Sequence, residues 1–392
     1  MDAHSSNPIP HPTTRLGIIG GGQLGRMMVM AAGRLGLHAI VLDPDRDSPA
    51  AQLGMQHVTG DWRNPEKLTE LVQAAAVSTF DIEDIHAEAL TELEAQGHCI
   101  HPSPRILALL QNKLTQKQAL AKAGIPTAEF IALDNPEAGD AEETFHRFGY
   151  PLVQKARRGG YDGRGVAILR NASEFEHRLK TPSLLERYVE NRKELAVMAA
   201  RGRDGQIQCY PAVEMTFQET NTLDMLLAPA RVSAEIAETA RDLARHTVEA
   251  LGGVGVFGVE LFLTHEDRLL VNEVAPRTHN SGHYTIEACY TDQFEQHLRA
   301  VTGLPLGSTE QMRPAVMLNL LGEPGYAGAP IIEGLETALA IPGVCVHLYG
   351  KKATRPHRKM GHVTILGEDL GTAQVKAARV REMIHIKGSE II

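Results

Sequence analysis

"RLGIIGGGQLGRMM", residues 15–28, decides how the first part of this 392-residue chain folds. An apolar run ends in a glycine-rich turn and a helical pattern follows directly, which predicts a strand, a tight turn and a helix. Gly20, Gly22 and Gly25 form G-x-G-x-x-G, and Asp43 closes the next apolar run, "HAIVLD". This spacing is typical of a turn that holds a dinucleotide pyrophosphate. Because the motif alone is weak evidence, an NAD-dependent oxidoreductase is one hypothesis for the rest of the chain to test.

The residues that follow this turn continue to alternate between strand and helix patterns. We predict strands at "HAIVLD", "VSTFDIED" and "HCIHP", and helices at 23–35, at 65–76 and at "AEALTELEAQG". Strands separated by helices of this length favour a parallel sheet wound by right-handed crossovers.

The overall composition is that of an ordinary globular protein, with 43% hydrophobic and 22% charged residues. The net charge of −9 gives no general reason to bind nucleic acid or an anionic membrane, so any anion site must be built locally. The four cysteines lie far apart without a C-x-x-C motif, which argues against a zinc cluster or a disulfide framework and favours the reducing cytoplasm. No apolar run approaches the roughly 20 residues that a membrane helix needs.

Changes of pattern along the chain predict its domain organisation. Residues 1–14 are polar and proline-rich, which indicates a disordered tail and not a signal peptide. We expect a Rossmann-like parallel-sheet domain at 15–112, a small α+β domain at 113–190 and a mixed α/β domain at 191–392. The segment "SPRILALLQNKLTQKQALAKAGIP" has helical periodicity up to Gly124 and Pro126, and after the helix in "DQFEQHLRAVTG" we expect short strands to the end of the chain.

A carboxylate pair is the first feature that carries chemistry. "FGVELFLTHEDRLLVNEVA", residues 257–275, predicts two apolar strands around a polar tip. A turn centred between residues 266 and 267 would pair Glu260 with Glu273 and Leu261 with Asn272. Directly opposed residues have Cβ atoms roughly 5 Å apart, so the two glutamates would repel unless a cation lies between them. Two carboxylates plus ligand phosphates is a usual Mg²⁺ site. The alternative is a solvated pair, or one carboxyl with a raised pKa.

Two basic segments are candidate anion sites. "RRGGYDGRG", residues 157–165, follows Lys155 closely, and its glycines allow backbone N–H groups to approach a phosphate. "YGKKATRPHRKMGH", residues 349–362, gathers five Lys and Arg side chains within nine residues, in a loop where they can converge on one phosphate. The alternatives are a mobile basic hairpin tip for the first segment and a solvated face for the second.

The segment "APRTHNSGHYT", residues 275–285, joins the hairpin to the rest of the chain. His279 and His283 stand four residues apart and could bind zinc if they were helical. The intervening Asn-Ser-Gly indicates a loop, and no third ligand is evident. Arg277 lies four residues after Glu273, which predicts a position beside any metal-bound phosphate.

The order of these features resembles that of the ATP-grasp enzymes. In more detail, "GGGQLGRM", "TFDIE", "KLTQKQ", "GGYDGRG", "NEVAPRTHNSGH", "FEQHLRAVTGLPLG" and "YGK…RPHRKMGH" are similar to the N5-carboxyaminoimidazole ribonucleotide synthases. The resemblance runs from residue 20 to about residue 362. It implies an ATP-grasp fold with an N-terminal Rossmann-like domain, a small lid domain and a C-terminal domain.

The resemblance also implies a reaction. Members of the family are ATP-dependent carbon–nitrogen ligases of de novo purine synthesis that join bicarbonate to the amine of 5-aminoimidazole ribonucleotide. Bicarbonate attacks the γ-phosphate to give carboxyphosphate, and the amine captures this intermediate or CO₂ released from it. The expected products are N5-carboxyaminoimidazole ribonucleotide, ADP and phosphate. Mg²⁺, a homodimer and a cytoplasmic location are the corresponding expectations.

The family's site residues are carried over position by position. The resemblance implies that Glu260 and Glu273 hold Mg²⁺, that Arg277 stabilises carboxyphosphate and that His279 is a further catalytic group. The residues implied in ATP binding are Lys113, Lys155, Gly160, Tyr161, Asp162, Gly163, Arg164, Gly165, Val166, Glu186, Arg187, Tyr188, Val189, Glu194, Asn272 and Glu273. Those implied in binding the aminoimidazole ribonucleotide are Gln23, Leu24, Glu83, Tyr161, Asp162, Asn280, Lys351, Arg358 and Lys359.

The chain departs from the family pattern at Met215 and Phe217, where members carry Asn and His, so a nucleotide contact from that His is not carried over.

Three other hypotheses remain to be weighed. They are a formate-dependent glycinamide ribonucleotide transformylase of the same fold, the NAD-dependent oxidoreductase, and a non-catalytic nucleotide-binding subunit. Under the oxidoreductase hypothesis, Asp43 binds the ribose of the dinucleotide. Under the family resemblance, Asp43 has no such required role.

Overall fold

The structure is a computed structural model, and it describes residues 14–160, 165–217 and 223–392. Most of the predicted N-terminal tail therefore lies outside the described residues. The same holds for the centre of the glycine-rich segment, where Tyr161, Asp162, Gly163 and Arg164 were expected to cover the ligands.

The N-terminal residues form the predicted parallel sheet. Its strands are β1 (Arg15–Ile19), β2 (His38–Asp43), β3 (Gln56–Thr59) and β4 (Val77–Phe80), in the order β3-β2-β1-β4. The helices are α1 (Gln23–Arg34), α2 (Pro65–Ala74) and α3 (Ala87–Ala95), with a 3₁₀ turn at Ala51–Leu53. The chain leaves β1 toward β2 on one side and returns to β4 on the other. Ligands of such sheets bind at this switch point, outside the carboxyl ends of the strands.

The strand predicted at "HCIHP" is wrong as a full element, because only Ile100 bridges to Ser78 at the sheet edge. The predicted helical stretch after it is interrupted and forms α4 (Pro104–Leu110) and α5 (Lys113–Lys122). The break falls at Asn112, whose side chain accepts a hydrogen bond from the Leu114 N–H at 3.0 Å. This N-cap begins a new helix and places Lys113 at its first position.

The small sheet that follows is antiparallel, with the order β5-β8-β6-β7. Its elements are β5 (Phe130–Leu133), α6 (Ala141–Phe148), β6 (Leu152–Ala156), β7 (Val166–Leu169), a 3₁₀ turn (Ala172–His177) and β8 (Ser183–Arg187). Its core is formed by buried side chains such as Phe145, Leu152 and Leu185. The hairpin of β6 and β7 carries the glycine-rich segment at its tip.

The larger sheet begins with β9 (Asn191–Arg201), β10 (Ile207–Cys209), β11 (Val213–Phe217), β12 (Leu223–Ala228), β13 (Gly255–Thr264) and β14 (Leu269–Ala275), and α7 (Ala234–Leu251) lies between β12 and β13. Helix α7 covers one face, where its Ala244 packs with Val197 of β9 in one buried cluster. Because side chains alternate along a strand, Glu194 and Glu260 point to the opposite face. That face carries the candidate site.

The chain then forms a 3₁₀ turn (Asn280–Gly282), α8 (Thr285–Ala288), α9 (Gln293–Thr302), β15 (Ala315–Leu321), β16 (Tyr326–Glu333), α10 (Leu335–Leu339), β17 (Val344–Leu348), β18 (Lys359–Leu366), α11 (Leu370–Met383) and β19 (His385–Ile391). The large sheet continues from β12 through β15 and β18 to β17, while β16 pairs with β19. The expectation of only short strands here is wrong, because α11 is a helix of 14 residues. Its buried stripe of Ala373, Ala377 and Val380 gives a weak hydrophobic signal, although Asp369 is a readable N-cap. In the described part of the chain, no helix is both long and apolar enough to span a membrane.

Candidate active site

The centre of the site is a pair of opposed glutamates on the β13–β14 hairpin. Glu260 lies directly across from Glu273, as the sequence predicts. The predicted partnership of Leu261 with Asn272 is wrong, because Leu261 pairs with Val271. The register shifts at this point, so that β14 has one extra residue in the form of a β-bulge.

Two lysines from other elements place positive charge against this pair. Lys113, at the start of α5, bonds Glu273 Oε2 through its Nζ at 2.5 Å. Lys155, on β6, donates to Asn272 Oδ1 at 2.8 Å and pairs with Glu186 Oε2 at 2.9 Å. Both lysine side chains are largely buried, so these interactions are poorly screened by water. The structure thus brings together predicted residues from α5, β6, β8 and the hairpin.

The neighbours of the two glutamates shift their titration in opposite directions. Burial raises the pKa of Glu260, and repulsion from Glu273 and Glu194 raises it further. Burial also acts to raise the pKa of Glu273, but the charge and hydrogen bond of Lys113 bring it well below its usual range. The pair therefore holds one firm negative charge and one carboxyl whose ionisation would be favoured by a cation.

These residues fit a divalent cation. Glu260, Glu273 and the nearby Asn272 offer oxygen donors, which Mg²⁺ prefers, and they leave room in its coordination for phosphate oxygens. Zinc has no comparable support. His279 has an extended backbone before a 3₁₀ turn and does not share a helix with His283. The described residues hold no group of three or more metal-ligating His, Cys, Asp or Glu side chains.

Glu186 on β8 lies between two lysines, Lys155 on β6 and Lys117 on α5. Its side chain is buried, with Oε2 on Lys155 and Oε1 at 3.5 Å from the Nζ of Lys117. Lys117 also donates to Thr127 Oγ1 at 2.5 Å and to the Val271 carbonyl at 3.3 Å. Burial lowers the pKa of Lys117 to about 8. The sequence analysis missed Lys117, because a lysine on a helix with other polar residues looks solvent-exposed.

Arg277 connects the hairpin to the N-terminal sheet. Its Nη2 pairs with Glu83 Oε1 at 2.9 Å, and its Nη1 donates to the Thr278 carbonyl at 3.0 Å. Glu83 follows β4 at the switch point of the parallel sheet. Burial raises the pKa of Glu83, and the charge of Arg277 opposes that shift. A predicted catalytic residue and a predicted ribonucleotide contact therefore lie in direct contact.

His279 lies over the hairpin beside the metal-binding candidates. Its Nε2 is 3.5 Å from Glu260 Oε1, and a Cβ on Gly258 would come within 2.8 Å of the His279 Cβ. The backbone N–H of Ser281 points to Nδ1 at 3.4 Å, which makes Nδ1 the acceptor and places the proton of the neutral ring on Nε2. Gln293, which the sequence analysis missed, accepts from the His279 N–H at 2.8 Å. His279 is thus a positioned donor facing the glutamates.

Asn280 follows on the same turn. Both polar atoms of its side-chain amide are buried and have no hydrogen-bond partner in the described structure. A buried amide normally has partners, so this one is available to a ligand. The basic segment, residues 349–362, is held together by its own hydrogen bonds. Lys351 Nζ donates to the Lys359 carbonyl at 2.7 Å, and Arg358 donates to the Ala353 carbonyl at 2.7 Å.

The remaining predicted nucleotide contacts border the small sheet. Gly160 and Gly165 flank the undescribed tip, and Val166 pairs with Lys155. The Arg187 guanidinium bonds Glu129 and lies over Phe148, while Tyr188 is exposed and Val189 half-buried. Glu194 pairs with Met215 across β9 and β11, which places Met215 on the site face, and Phe217 ends β11.

The glycine turn after β1 is closed by the chain's own carboxylates. Gly21 N–H donates to Asp43 Oδ2 at 2.8 Å, and Gly25 N–H donates to Asp81 Oδ2 at 2.8 Å. A Cβ on Gly20, whose φ is +97°, would lie 1.7 Å from Asp81 Oδ1. The glycines are therefore required by the side chain of Asp81, and Asp43 is bound to the turn itself. Helix α1 begins at the predicted ribonucleotide contacts Gln23 and Leu24.

Three family models match successive parts of the chain. They describe a ribonucleotide synthetase preATP-grasp domain at residues 13–111, an ATP-grasp domain at 118–294 and a phosphoribosylaminoimidazole carboxylase C-terminal domain at 315–376.

Similar proteins extend over nearly the whole chain. The N5-carboxyaminoimidazole ribonucleotide synthase of Synechococcus elongatus is 42% identical over 93% of this chain and 91% of its own length. The crystal structure of N5-carboxyaminoimidazole ribonucleotide synthetase from Thermotoga maritima superposes with a TM-score of 0.90 at 48% identity, covering 96% of this chain and 100% of that one. An Aspergillus clavatus synthase in complex with ADP and 5-aminoimidazole ribonucleotide gives a TM-score of 0.87 at 36% identity, with coverage of 95% and 98%.

Proposed function

The chain belongs to the N5-carboxyaminoimidazole ribonucleotide synthase family of ATP-grasp ligases, and from this premise we propose how its own residues carry out the reaction. It is an ATP-dependent enzyme that carboxylates 5-aminoimidazole ribonucleotide with bicarbonate in purine synthesis. Family membership replaces the oxidoreductase, the transformylase and the non-catalytic subunit as hypotheses.

One observation carries the assignment of roles. Arg277 pairs with Glu83, which follows β4 of the N-terminal sheet. Arg277 also follows β14, the strand that holds Glu273, and Glu273 contacts Lys113. The nucleotide-phosphate side and the ribonucleotide side of the site therefore meet at one guanidinium. A phosphorylated carboxyl group made on one side would have to pass this charge to reach an amine on the other.

On the nucleotide side, we assign the phosphates to Lys113 and Lys155. Lys113 would exchange its bond with Glu273 for phosphate oxygens, and Lys155 is held in place by Glu186. Glu260 and Glu273 would hold Mg²⁺, which supplies charge neutralisation to the transferring phosphoryl group when bound. The backbone around Glu186 and Val189 would contact the adenine, and Glu194 the ribose.

Bicarbonate then attacks the γ-phosphorus through an oxygen atom, and ADP leaves. Arg277 is placed to hold the negative charge of the resulting carboxyphosphate, since preorganised charge is most effective where charge develops. His279 carries its proton on Nε2 and would donate it as a hydrogen bond to a carboxyphosphate oxygen. Attack by the amine nitrogen on the carboxyl carbon, directly or through CO₂, releases phosphate.

On the ribonucleotide side, the switch point of the parallel sheet supplies Gln23, Leu24 and Glu83. Asn280 would contact the ribose through its side-chain amide, which has no hydrogen-bond partner among the described residues. Lys351, Arg358 and Lys359 would bind the 5′-phosphate. The proposal also includes the domain boundaries given above, a homodimer and a cytoplasmic location, where ATP and the ribonucleotide are available.

The test is ADP formation by the purified protein with ATP, Mg²⁺ and 5-aminoimidazole ribonucleotide. We expect rapid ADP release only when bicarbonate is also present. Formate with glycinamide ribonucleotide is the matched control and is expected to give no release above background. ADP release that needs formate, or that ignores bicarbonate, would overturn the proposal.

A further inference from the structure

A column of four aromatic rings lies behind the ribonucleotide side of the site. His362 is at its centre, with ring centroids 4.6 Å from His283 on one side and 4.5 Å from His347 on the other. Phe294 continues the stack beyond His283 at 5.9 Å. The interplanar angles of 12° to 29° make this a stack and not a chance cluster. No residue of the column has a role in the reaction proposed above.

Each histidine comes from a segment that also carries a proposed ribonucleotide contact. His283 follows Asn280 by three residues, and His362 follows Lys359 by three residues on β18. His347 lies on β17 directly across from His362, and β17 leads to Lys351. The stacked rings therefore connect the turn after Asn280, strand β17 and strand β18.

The column also contacts helix α1, which begins at the proposed ribonucleotide contacts Gln23 and Leu24. Phe294 and Tyr349 are both buried in the apolar cluster built around α1, together with Leu24 and Met28. Tyr349 also bonds His362 Nδ1 through its hydroxyl at 2.9 Å. The column thus links the basic segment to the helix that begins at Gln23 and Leu24.

Polar partners fix the orientation of the two histidine rings on either side of His362. The Gln293 amide donates to His283 Nδ1 at 3.0 Å and to the His279 carbonyl at 2.8 Å. Because the same amide accepts from the His279 N–H, its orientation is determined, and His283 Nδ1 must be an acceptor. At the opposite end, His347 Nε2 bonds Glu287 at 2.6 Å.

The two inner rings are not themselves phosphate ligands. His283 and His362 have about 1% and 0% of their surface exposed. Burial, together with the nearby charges of Arg277 and Lys359 for His283, keeps the pKa of both rings well below the usual range of histidine. Neutral, buried rings contribute shape and contact, not charge.

We propose that His283 and His362 are positioning residues for the aminoimidazole ribonucleotide. The stacked rings set the distance between the Asn280 turn and the segment that carries Lys351 and Lys359, so that both reach one ligand. This inference rests on the proposed function. Binding sites must hold their contact groups to within about half an ångström, and a shared packed element behind the contacts provides that precision.

The test is a comparison of KM values. Replacing His362 with alanine (His362→Ala) removes the central ring. We expect the KM for the ribonucleotide to rise about tenfold or more, because several contacts lose their register, while the KM for ATP changes less than twofold. His297→Ala is the matched control: His297 is equally buried but bonds Thr79 and the Val256 N–H outside the column. It is expected to lower thermal stability without changing the ratio of the two KM values.

A second variant keeps the test decisive if His362→Ala does not fold. His347→Ala removes the partly exposed outer ring, and we expect a rise of about threefold in the ribonucleotide KM. Equal changes in both KM values, or an unchanged ribonucleotide KM in a folded variant, would overturn the inference. The unmodified protein is assayed first, and absence of its bicarbonate-dependent activity would refute the proposed function. If that activity is normal but the variants change both KM values equally, only the positioning role is refuted.

Discussion

Two pairs of carboxylates lie on opposite sides of this site, and they are used in different ways. Asp43 and Asp81 face backbone N–H groups of the glycine turn and fill it. Glu260 and Glu273 face each other, and Glu273 also pairs with the ammonium of Lys113. The first pair completes the fold, whereas the second pair is the one that we propose binds a cation.

The difference shows why the two sequence motifs differ in value. A glycine turn is needed wherever a chain segment approaches closely, and here the approaching group is Asp81. Opposed carboxylates in a largely buried hairpin have no such structural purpose, since they repel each other. The costly arrangement is therefore the better guide to chemistry.

The largest effect is expected at the second pair. Glu273→Gln should reduce ADP formation by about 1000-fold, roughly 4 kcal/mol in activation free energy, since it removes a proposed metal ligand and the partner of Lys113. Steady-state assays at saturating Mg²⁺ measure this. Glu266→Gln, at the exposed tip of the same hairpin, is the control and should keep full activity. Full activity of a folded Glu273→Gln protein would show that the pair is only structural.

The first pair should instead affect stability, through pH. Burial raises the pKa of Asp81 to about 6, although the Gly25 N–H and Arg277 oppose the shift. The folded state therefore holds this proton more tightly than the unfolded chain, whose aspartate titrates near 3.9. The resulting stability is present below about pH 4 and is lost as the pH rises through about 6, a change of up to about 3 kcal/mol.

Asp81→Asn should remove this dependence. Between pH 4.5 and pH 7.5, the difference in free energy of unfolding between Asp81→Asn and the unmodified protein should change by about 2 kcal/mol in favour of the variant, as measured by urea unfolding. Asp140→Asn, at an exposed helix start, serves as the control and should follow the unmodified protein. Parallel curves for Asp81→Asn and the unmodified protein would mean that the buried carboxyl costs nothing, and the contrast between the two pairs would fail.

Changes on the ribonucleotide side should separate its ligand from ATP. Lys351→Ala or Arg358→Ala removes one proposed phosphate contact and should raise the KM for the ribonucleotide about tenfold, or ~1.4 kcal/mol. The KM for ATP should change less than twofold. Both constants come from the same coupled assay, and equal increases in the two would place the 5′-phosphate elsewhere.

Much of this arrangement was predictable, because periodicity reports local structure well. The alternating pattern predicted the parallel sheet, and counting from the tip of the hairpin placed Glu260 opposite Glu273. The same count failed one residue later, because a bulge depends on packing and does not change the hydrophobic pattern. Helix α11 was missed for a related reason, since its buried stripe is mostly alanine.

What the sequence did not show are partnerships between distant residues. Lys117 with Glu186, and Asp81 with Gly25, join positions 69 and 56 residues apart. Such pairs leave no local pattern, so Lys117 looked like a surface residue and Asp81 was not singled out. The roles of most site residues were predicted from the family resemblance.

The smallest effect is expected when a dinucleotide is added to the protein. This experiment tests whether the glycine turn, with Asp43 and Asp81, can bind a ligand. In a dinucleotide-binding turn, the free N–H groups at the helix start face the pyrophosphate. Here Gly21 and Gly25 donate to Asp43 and Asp81, so a pyrophosphate would lose these donors and meet two carboxylates. NAD at about 1 mM should leave the melting temperature unchanged, whereas ATP with Mg²⁺ should raise it. A higher melting temperature with NAD would show that the first pair can open for a ligand, and the two carboxylate pairs would then differ in degree and not in kind.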